Sequence, residues 1–269
     1  MMLEFTKMSG AGNDFILVDN REGRISLTPE QVGRLCHRQF GIGADGVMLL
    51  IPCTSGVAEW AWQFYNSDGS DAEMCGNGAR CFARYIQRLV GSQGRTSFET
   101  LAGVIRAEFI GDDVHVNLTA PHGLRLQERI QTKKGVVEIS SLNTGVPHAV
   151  IFVEDADRAM VQEIGSEIRF HEHFKPKGTN VNFVQVRGKN SIRVRTYERG
   201  VEGETLACGT GLTAAALVGS VIHGFTPPVT VHVQGGDTLQ VSFRREGLDF
   251  KDVGLTGPAT FVFEGKMEV

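Results

Sequence analysis

Two cysteines stand in surroundings that suit acid–base chemistry. Glu73-Met74-Cys75-Gly76-Asn77-Gly78 leads into a helical pattern, and Leu206-Ala207-Cys208-Gly209-Thr210-Gly211 does the same 133 residues later. Each cysteine also has an acid four residues upstream, Asp71 and Glu204. Backbone N–H groups at a helix N-terminus lack intrahelical partners and carry partial positive charge. A thiol held there is stabilised as thiolate. The glycines that follow let a ligand approach the backbone closely, and two such helix ends facing one another would cradle a carboxylate. This set suits removal of a proton α to a carboxylate. One cysteine, as thiolate, takes the proton from one face; the other, as thiol, returns one to the opposite face. Fixed donors stabilise the negative charge that develops.

The elements that must carry these cysteines are themselves repeated. Gly12 to Val18 matches Gly145 to Ile151, and Gly103 matches Gly236, both at the cysteine offset. Tyr65-Asn66 matches Tyr197-Glu198 at 132, and Gly43 to Ile51 matches Gly178 to Val186 at 135, which sets Asp45 against Asn180. Thr119-Ala120-Pro121 closes the first repeat and Thr256-Gly257-Pro258 the second. A duplicated domain with a pseudo-two-fold axis would put equivalent residues on opposite sides of one site, as inversion at carbon requires. Alternation at Trp60, Trp62 and Phe64, at Val114, Val116 and Leu118, and at Val229, Val231 and Val233 predicts strands. So do the short apolar runs Ile16 to Val18, Val47 to Ile51 and Val150 to Val153, and Gly235-Gly236 turns the chain into a further strand. A helix follows each Cys-Gly. The first places Ala79, Phe82, Ala83, Ile86 and Leu89 on one face, with Arg80, Arg84 and Arg88 on another. The second, Leu212 to Ile222, is apolar all round and so predicts a buried helix. Shorter helices are expected at Pro29 to Arg38 and Asp157 to Ile168.

The fold class expected is α/β of the α+β type: two homologous domains, each a mostly antiparallel sheet or barrel wrapped around a central helix. The first is expected over 1–121, joined by a returning strand over 260–269, and the second over 122–259.

Composition bounds the function classes. The chain has 269 residues, 41% hydrophobic, enough for a sizeable core. A formal net charge of −4 does not suggest a nucleic-acid or bilayer partner. Five cysteines at irregular spacing do not read as a disulfide framework, and no basic-then-apolar leader or membrane-length apolar run appears. A cytoplasmic setting is therefore expected. Cys36, Cys53 and Cys81 read as ordinary small residues, and Cys75 with Cys81 lacks zinc-site spacing. Gly41-Ile42-Gly43-Ala44-Asp45-Gly46 matches G-x-G-x-x-G literally. It follows a helix and precedes a strand, however, the reverse of the dinucleotide fingerprint, so it reads as a turn.

At these residues the sequence resembles diaminopimelate epimerase. The blocks are MSGAGNDFILVDN, GIGADGVMLL, YNSDGSDAEMCGNGARCFARY, the pair Pro147-His148, GTNVNFVQV and YERGVEGETLACGTG, spread from Met8 to Gly211. The resemblance implies an active site in a cleft between two similar domains, and interconversion of LL- and meso-diaminopimelate on the route to lysine and cell-wall precursors, with no metal or cofactor. It implies Cys75 and Cys208 as the two bases. Gly76, Asn77, Gly209 and Thr210 would give backbone donors to the reacting carboxylate. Asn13, Asn66, Asn180 and Arg199 would bind substrate, and Glu198 and His148 would hold the amino group and adjust thiol acidity. The only partner implied is the small-molecule substrate, with a homodimer left open as the assembly. Val146 stands where many members carry Asn, and Gly46 where some carry Gln, which leaves recognition of the distal end of the substrate open. Two other readings stay open: a related racemase or isomerase of proline, hydroxyproline or histidine, and a thiol redox or binding protein in which the two cysteines form a disulfide.

Overall fold

The computed structural model describes residues 1–269. It divides into two compact units, Met1–Asn117 with Gly257–Val269, and Leu118–Thr256. No helix is long and apolar enough to cross a membrane.

The first unit holds β1 (Met2–Gly10), β2 (Asn13–Asp19), α1 (Pro29–Cys36), β3 (Gly46–Pro52), β4 (Trp60–Asn66), α2 (Gly76–Val90), β5 (Arg95–Thr100), β6 (Gly103–Ile110) and β7 (Asp113–Asn117). β1 pairs antiparallel with β2, β2 parallel with β3, β3 antiparallel with β4 and β4 parallel with β5; β5, β6 and β7 follow antiparallel. A parallel pair needs a crossover, and α1 and α2 supply the two. α2 packs against β1, β2, β3, β5, β6 and β7, which makes it the central helix. α1 lies outside the sheet on a core of Leu3, Phe5, Ile16, Val18, Val32, Leu35, Val47 and Leu49. Strands apolar on both faces are the consequence: Ile16 and Val18 face α1, while Phe15 and Leu17 face α2.

The second unit holds β8 (His122–Thr132), β9 (Gly135–Asn143), β10 (Pro147–Phe152), α3 (Val161–Arg169), β11 (Asn180–Gly188), β12 (Ser191–Glu198), β13 (Gly203–Thr205), α4 (Gly209–Ile222), β14 (Val229–His232), β15 (Thr238–Glu246) and β16 (Asp249–Pro258). Its pairings repeat the first unit's order: β9–β10 antiparallel, β10–β11 parallel, β11–β12 antiparallel, β12–β14 parallel, then β14–β15–β16 antiparallel. α4 takes the central place against β9, β10, β11, β12, β14 and β15, and α3 lies outside on Ile139, Ile151, Val181, Phe183 and Tyr197. Outside this shared order the second unit has β8, antiparallel to β9, and the short β13, antiparallel to β12, and the first has the final strand, β17 (Thr260–Glu268), antiparallel to β1.

Three expectations need correction. α3 begins at Val161 and not Asp157, because the Asp157 N–H bonds the Asp155 carboxylate in a local turn. Arg80 does not share a polar face with Arg84 and Arg88: it is wholly buried and donates to the Gly76 and Pro258 carbonyls and to Asn77 Oδ1. The match of Asp45 with Asn180 is one residue out, since Gly46 lies opposite Phe15 as Asn180 lies opposite His148. The offset is 135 at the turn glycines Gly43 and Gly178, both at positive φ, and closes to 134 where β3 and β11 begin.

Candidate active site

In each unit a cysteine is the N-cap of the central helix. Cys75 caps α2 with extended backbone, φ −143° and ψ 118°, and its sulfur accepts the Gly78 N–H at 3.4 Å. Cys208 caps α4 with φ −121° and ψ 103°, and its Sγ lies 3.7 Å from Thr210 Oγ1. Cys75 is half-buried and Cys208 buried, and all five cysteines of the chain are thiols. Burial raises the Cys36 and Cys81 thiols to about 12 and leaves them inert at neutral pH.

Packing explains the glycines. A Cβ at Gly78 would overlap the end of Met48 and meet Phe15 Cζ at 3.4 Å; one at Gly211 would overlap Asn182 Oδ1 and meet Cys208 Sγ at 3.3 Å. Both helices start hard against the strands beneath them. The backbone N–H groups of the first turn are therefore held rigidly.

Around Cys75 the polar groups form one chain. Asn77, buried, donates from Nδ2 to Asn13 Oδ1 at 2.6 Å; Asn13 Nδ2 donates to Asp45 at 2.8 Å. Arg38 bonds both Asp45 and Asp14, and Lys7 pairs with Asp14 at 2.7 Å while also reaching the Gly43 carbonyl. Burial alone would raise the Asp14 carboxyl, but hydrogen bonds and charge from Arg38 and Lys7 hold it below the usual range. Asn66 lies at the end of β4, paired with Gly46, and donates to Ser70 Oγ at 3.0 Å. Gly46 is enclosed: a Cβ there would meet the Tyr65 carbonyl at 2.5 Å, so in this chain the position holds no side chain.

Around Cys208 the polar groups are different. His148 is buried, with Nε2 3.0 Å from Thr210 Oγ1 and Nδ1 3.2 Å from Asn182 Nδ2. Burial first, and then the charge of Arg199, depress its pKa to about 3. Asn180, beside it on β11, accepts the Arg199 backbone N–H at 2.8 Å and donates to the Pro147 carbonyl. Glu198 accepts the Thr205 hydroxyl at 2.8 Å, and Arg199 reaches the Lys177 carbonyl. The first unit thus gathers Asn13, Cys75, Gly76 and Asn77, with Asn66 on the same strand ends; the second gathers His148, Asn180, Glu198, Arg199, Cys208, Gly209 and Thr210. Asn182, Thr196, Asp45 and Arg80 were missed as partners of these groups. The repeat carried a signal for the first two, because they are polar at positions where the first unit is apolar.

The G-x-G-x-x-G segment lies between α1 and β3 and folds back on the helix end, with the Ile42 and Gly43 N–H groups on the Leu35 carbonyl.

A family model described as diaminopimelate epimerase matches residues 5–122 and 140–262. The diaminopimelate epimerase of Aquifex aeolicus (strain VF5) is 45% identical over 98% of this chain and 98% of its own length. That of Chromobacterium violaceum is 41% identical over 100% of both. Among solved structures, a Bacillus anthracis phenazine biosynthesis protein of the PhzF family superposes with TM-score 0.76 at 14% identity, each chain fully covered. A hydroxyproline epimerase from Agrobacterium vitis superposes with TM-score 0.75 at 16% identity over 98% of this chain and 92% of its own. At such identity the two solved structures carry the fold alone.

Proposed function

The chain belongs to the diaminopimelate epimerase family, and from that premise we propose that it inverts the α-carbon of diaminopimelate between the thiols of Cys75 and Cys208. It is an isomerase. The reading rests above all on one observation: each unit caps its buried central helix with a cysteine, at the same place in the same order of strands.

Inversion needs a base on one face of the α-carbon and an acid on the other. A cysteine at a helix start serves either role, because the backbone N–H groups of the first turn stabilise its thiolate without supplying a proton. One thiolate takes the α-proton and becomes a thiol; the opposite thiol gives up its proton and becomes a thiolate. The pair ends with its protonation exchanged, ready for the reverse direction. The N–H groups of Gly76 and Asn77, and of Gly209 and Thr210, donate to the carboxylate as negative charge spreads onto it. Asn13, Asn66, Asn180 and Arg199 bind the remaining polar groups of the substrate. An arginine suits a second carboxylate bidentately, and Glu198 takes the amino group. The same reading places the protein in the cytoplasm, on a route that makes lysine and cell-wall precursors, with a homodimer as the assembly to look for.

The test is deuterium uptake at the α-carbon of LL-diaminopimelate in D₂O, followed by NMR. Uptake with appearance of the meso isomer is expected, and Cys75→Ala or Cys208→Ala should each lower inversion at least a thousandfold. No uptake with reduced, folded protein would reject the substrate. Uptake with proline or hydroxyproline instead would move the assignment within the racemases.

A further inference from the structure

The two helix starts share a fold but rest on different floors. Beneath α2 lie Phe15, Met48 and Phe64, all buried, with the two rings 6.0 Å apart edge to face. The pairing registers locate their counterparts. Phe15 is opposite Gly46 as His148 is opposite Asn180, Leu17 opposite Met48 as Val150 is opposite Asn182, and Met48 opposite Phe64 as Asn182 is opposite Thr196. His148, Asn182 and Thr196 thus occupy the three positions that are apolar in the first unit, and all three are buried.

Their hydrogen bonds have one consistent direction. Asn182 Nδ2 has two hydrogens: one goes to the Ala149 carbonyl at 3.0 Å, the other to His148 Nδ1 at 3.2 Å. Its Oδ1 accepts the Thr196 hydroxyl at 2.9 Å, and the Ala149 carbonyl, which can only accept, keeps the amide from turning over. Nδ1 is therefore an acceptor, and the imidazole carries its hydrogen on Nε2, 3.0 Å from Thr210 Oγ1. With that oxygen accepting from Nε2, the hydroxyl's own hydrogen can be donated across the 3.7 Å to Cys208 Sγ, the direction this contact must take when the sulfur is a thiolate with no hydrogen of its own. In the first unit the residue at the position of Thr210 is Asn77, whose side chain turns away to Asn13 and Arg80. There the sulfur accepts a backbone N–H instead.

We propose that Asn182, His148 and Thr210 form a one-way hydrogen-bond relay that presents the Thr210 hydroxyl as a donor to the Cys208 sulfur and stabilises its thiolate. The proposal rests on the reading of Cys208 as a base; it adds Asn182 to the site and gives the His148 ring and the Thr210 hydroxyl positioning roles, and none of the three takes a proton from substrate. No proton crosses the relay; each group donates one bond and keeps its hydrogen. The strands that end here bring few other ionisable groups. Glu198 is bonded by Thr205, Glu204 is held by Arg195 at 2.6 Å, and Arg199 points its side chain to the Lys177 carbonyl. The depressed basicity of His148 agrees with a neutral, donating ring throughout the working range.

The experiment is alkylation by iodoacetamide from pH 5 to 9, with Cys75 and Cys208 peptides quantified separately by mass spectrometry. Kinetics on LL-diaminopimelate run in parallel. Thr210 is only half-buried, so Thr210→Val should fold, and Thr210→Ser restores the hydroxyl. In Thr210→Val the pH of half-maximal Cys208 alkylation should rise by about one unit, with kcat/KM down about tenfold. Cys75 should stay where it is, and Thr210→Ser should recover both. Asn182→Met, the residue found at that place in the first unit, should move Cys208 the same way. An unmoved Cys208 in Thr210→Val, or equal loss in Thr210→Ser, overturns the relay even if activity falls. Full activity in Cys208→Ala would instead overturn the site reading, whatever the alkylation shows.

Discussion

His148 is buried in an environment far from water. In the folded chain it resists protonation down to about pH 3, whereas the unfolded chain takes a proton near its ordinary 6.5. Between those values the unfolded state holds more protons, so stability is fully present above 6.5 and declines as pH falls through the window. The slope approaches about 1.4 kcal/mol per pH unit for one such group. Urea unfolding at pH 7 and pH 5 should therefore show a loss on the order of 2 kcal/mol from this group. His148→Gln, which does not titrate, should show a flatter difference; an unchanged pH dependence would mean that other groups govern it.

At the scale of elements, the first turns of α2 and α4 depend on glycines that let the helices sit directly on the strands. The two should not respond alike to a methyl group. At Gly78 the obstacle is the flexible end of Met48, which can move; at Gly211 it is Asn182 Oδ1, fixed by Thr196. Gly78→Ala should cost about 1 kcal/mol or less, and Gly211→Ala about 1–3 kcal/mol. Gly211→Ala should also lower kcat by more than its melting temperature explains, because it displaces Asn182 from His148. Equal effects of the two substitutions would argue that the floor under α4 is as pliable as that under α2.

Over the whole molecule, the chain's last strand belongs to the unit that holds its first. β17 pairs along β1, Phe263 meets Phe5 edge to face at 5.8 Å, and Arg88 stacks on Phe261 at 4.5 Å. Met267 and Val269 pack on the core beneath α1. Removing residues 260–269 should destabilise the first unit on the order of 2–4 kcal/mol, chiefly through lost apolar burial. Hydrogen exchange should report it: amides of β1 lose protection, while those of β10 and β11 in the second unit keep theirs. Uniform loss across both units would show that the two unfold as one.

Sequence alone was enough for whatever depends on local pattern. The Cys-Gly blocks before helical periodicity placed both N-caps, and the uniformly apolar run after Leu212 marked a helix with no solvent face. The order helix–turn–strand around Gly41 to Gly46 was enough to set aside the dinucleotide motif. The resemblance named the family, and the comparisons show it. Partners beyond the next turn were not legible. Arg80 reads as one arginine in a row of three, and only the close packing of β-strands around α2 makes its position an interior one. Asn182 and Thr196 lie within β11 and β12, where only comparison with the apolar positions of the first repeat marks them. Their meaning depends on strand register, because a shift of one residue turns every side chain to the other face. Register is decided by tertiary pairing, and it alone set a polar column under Cys208 where the other unit has Phe15, Met48 and Phe64.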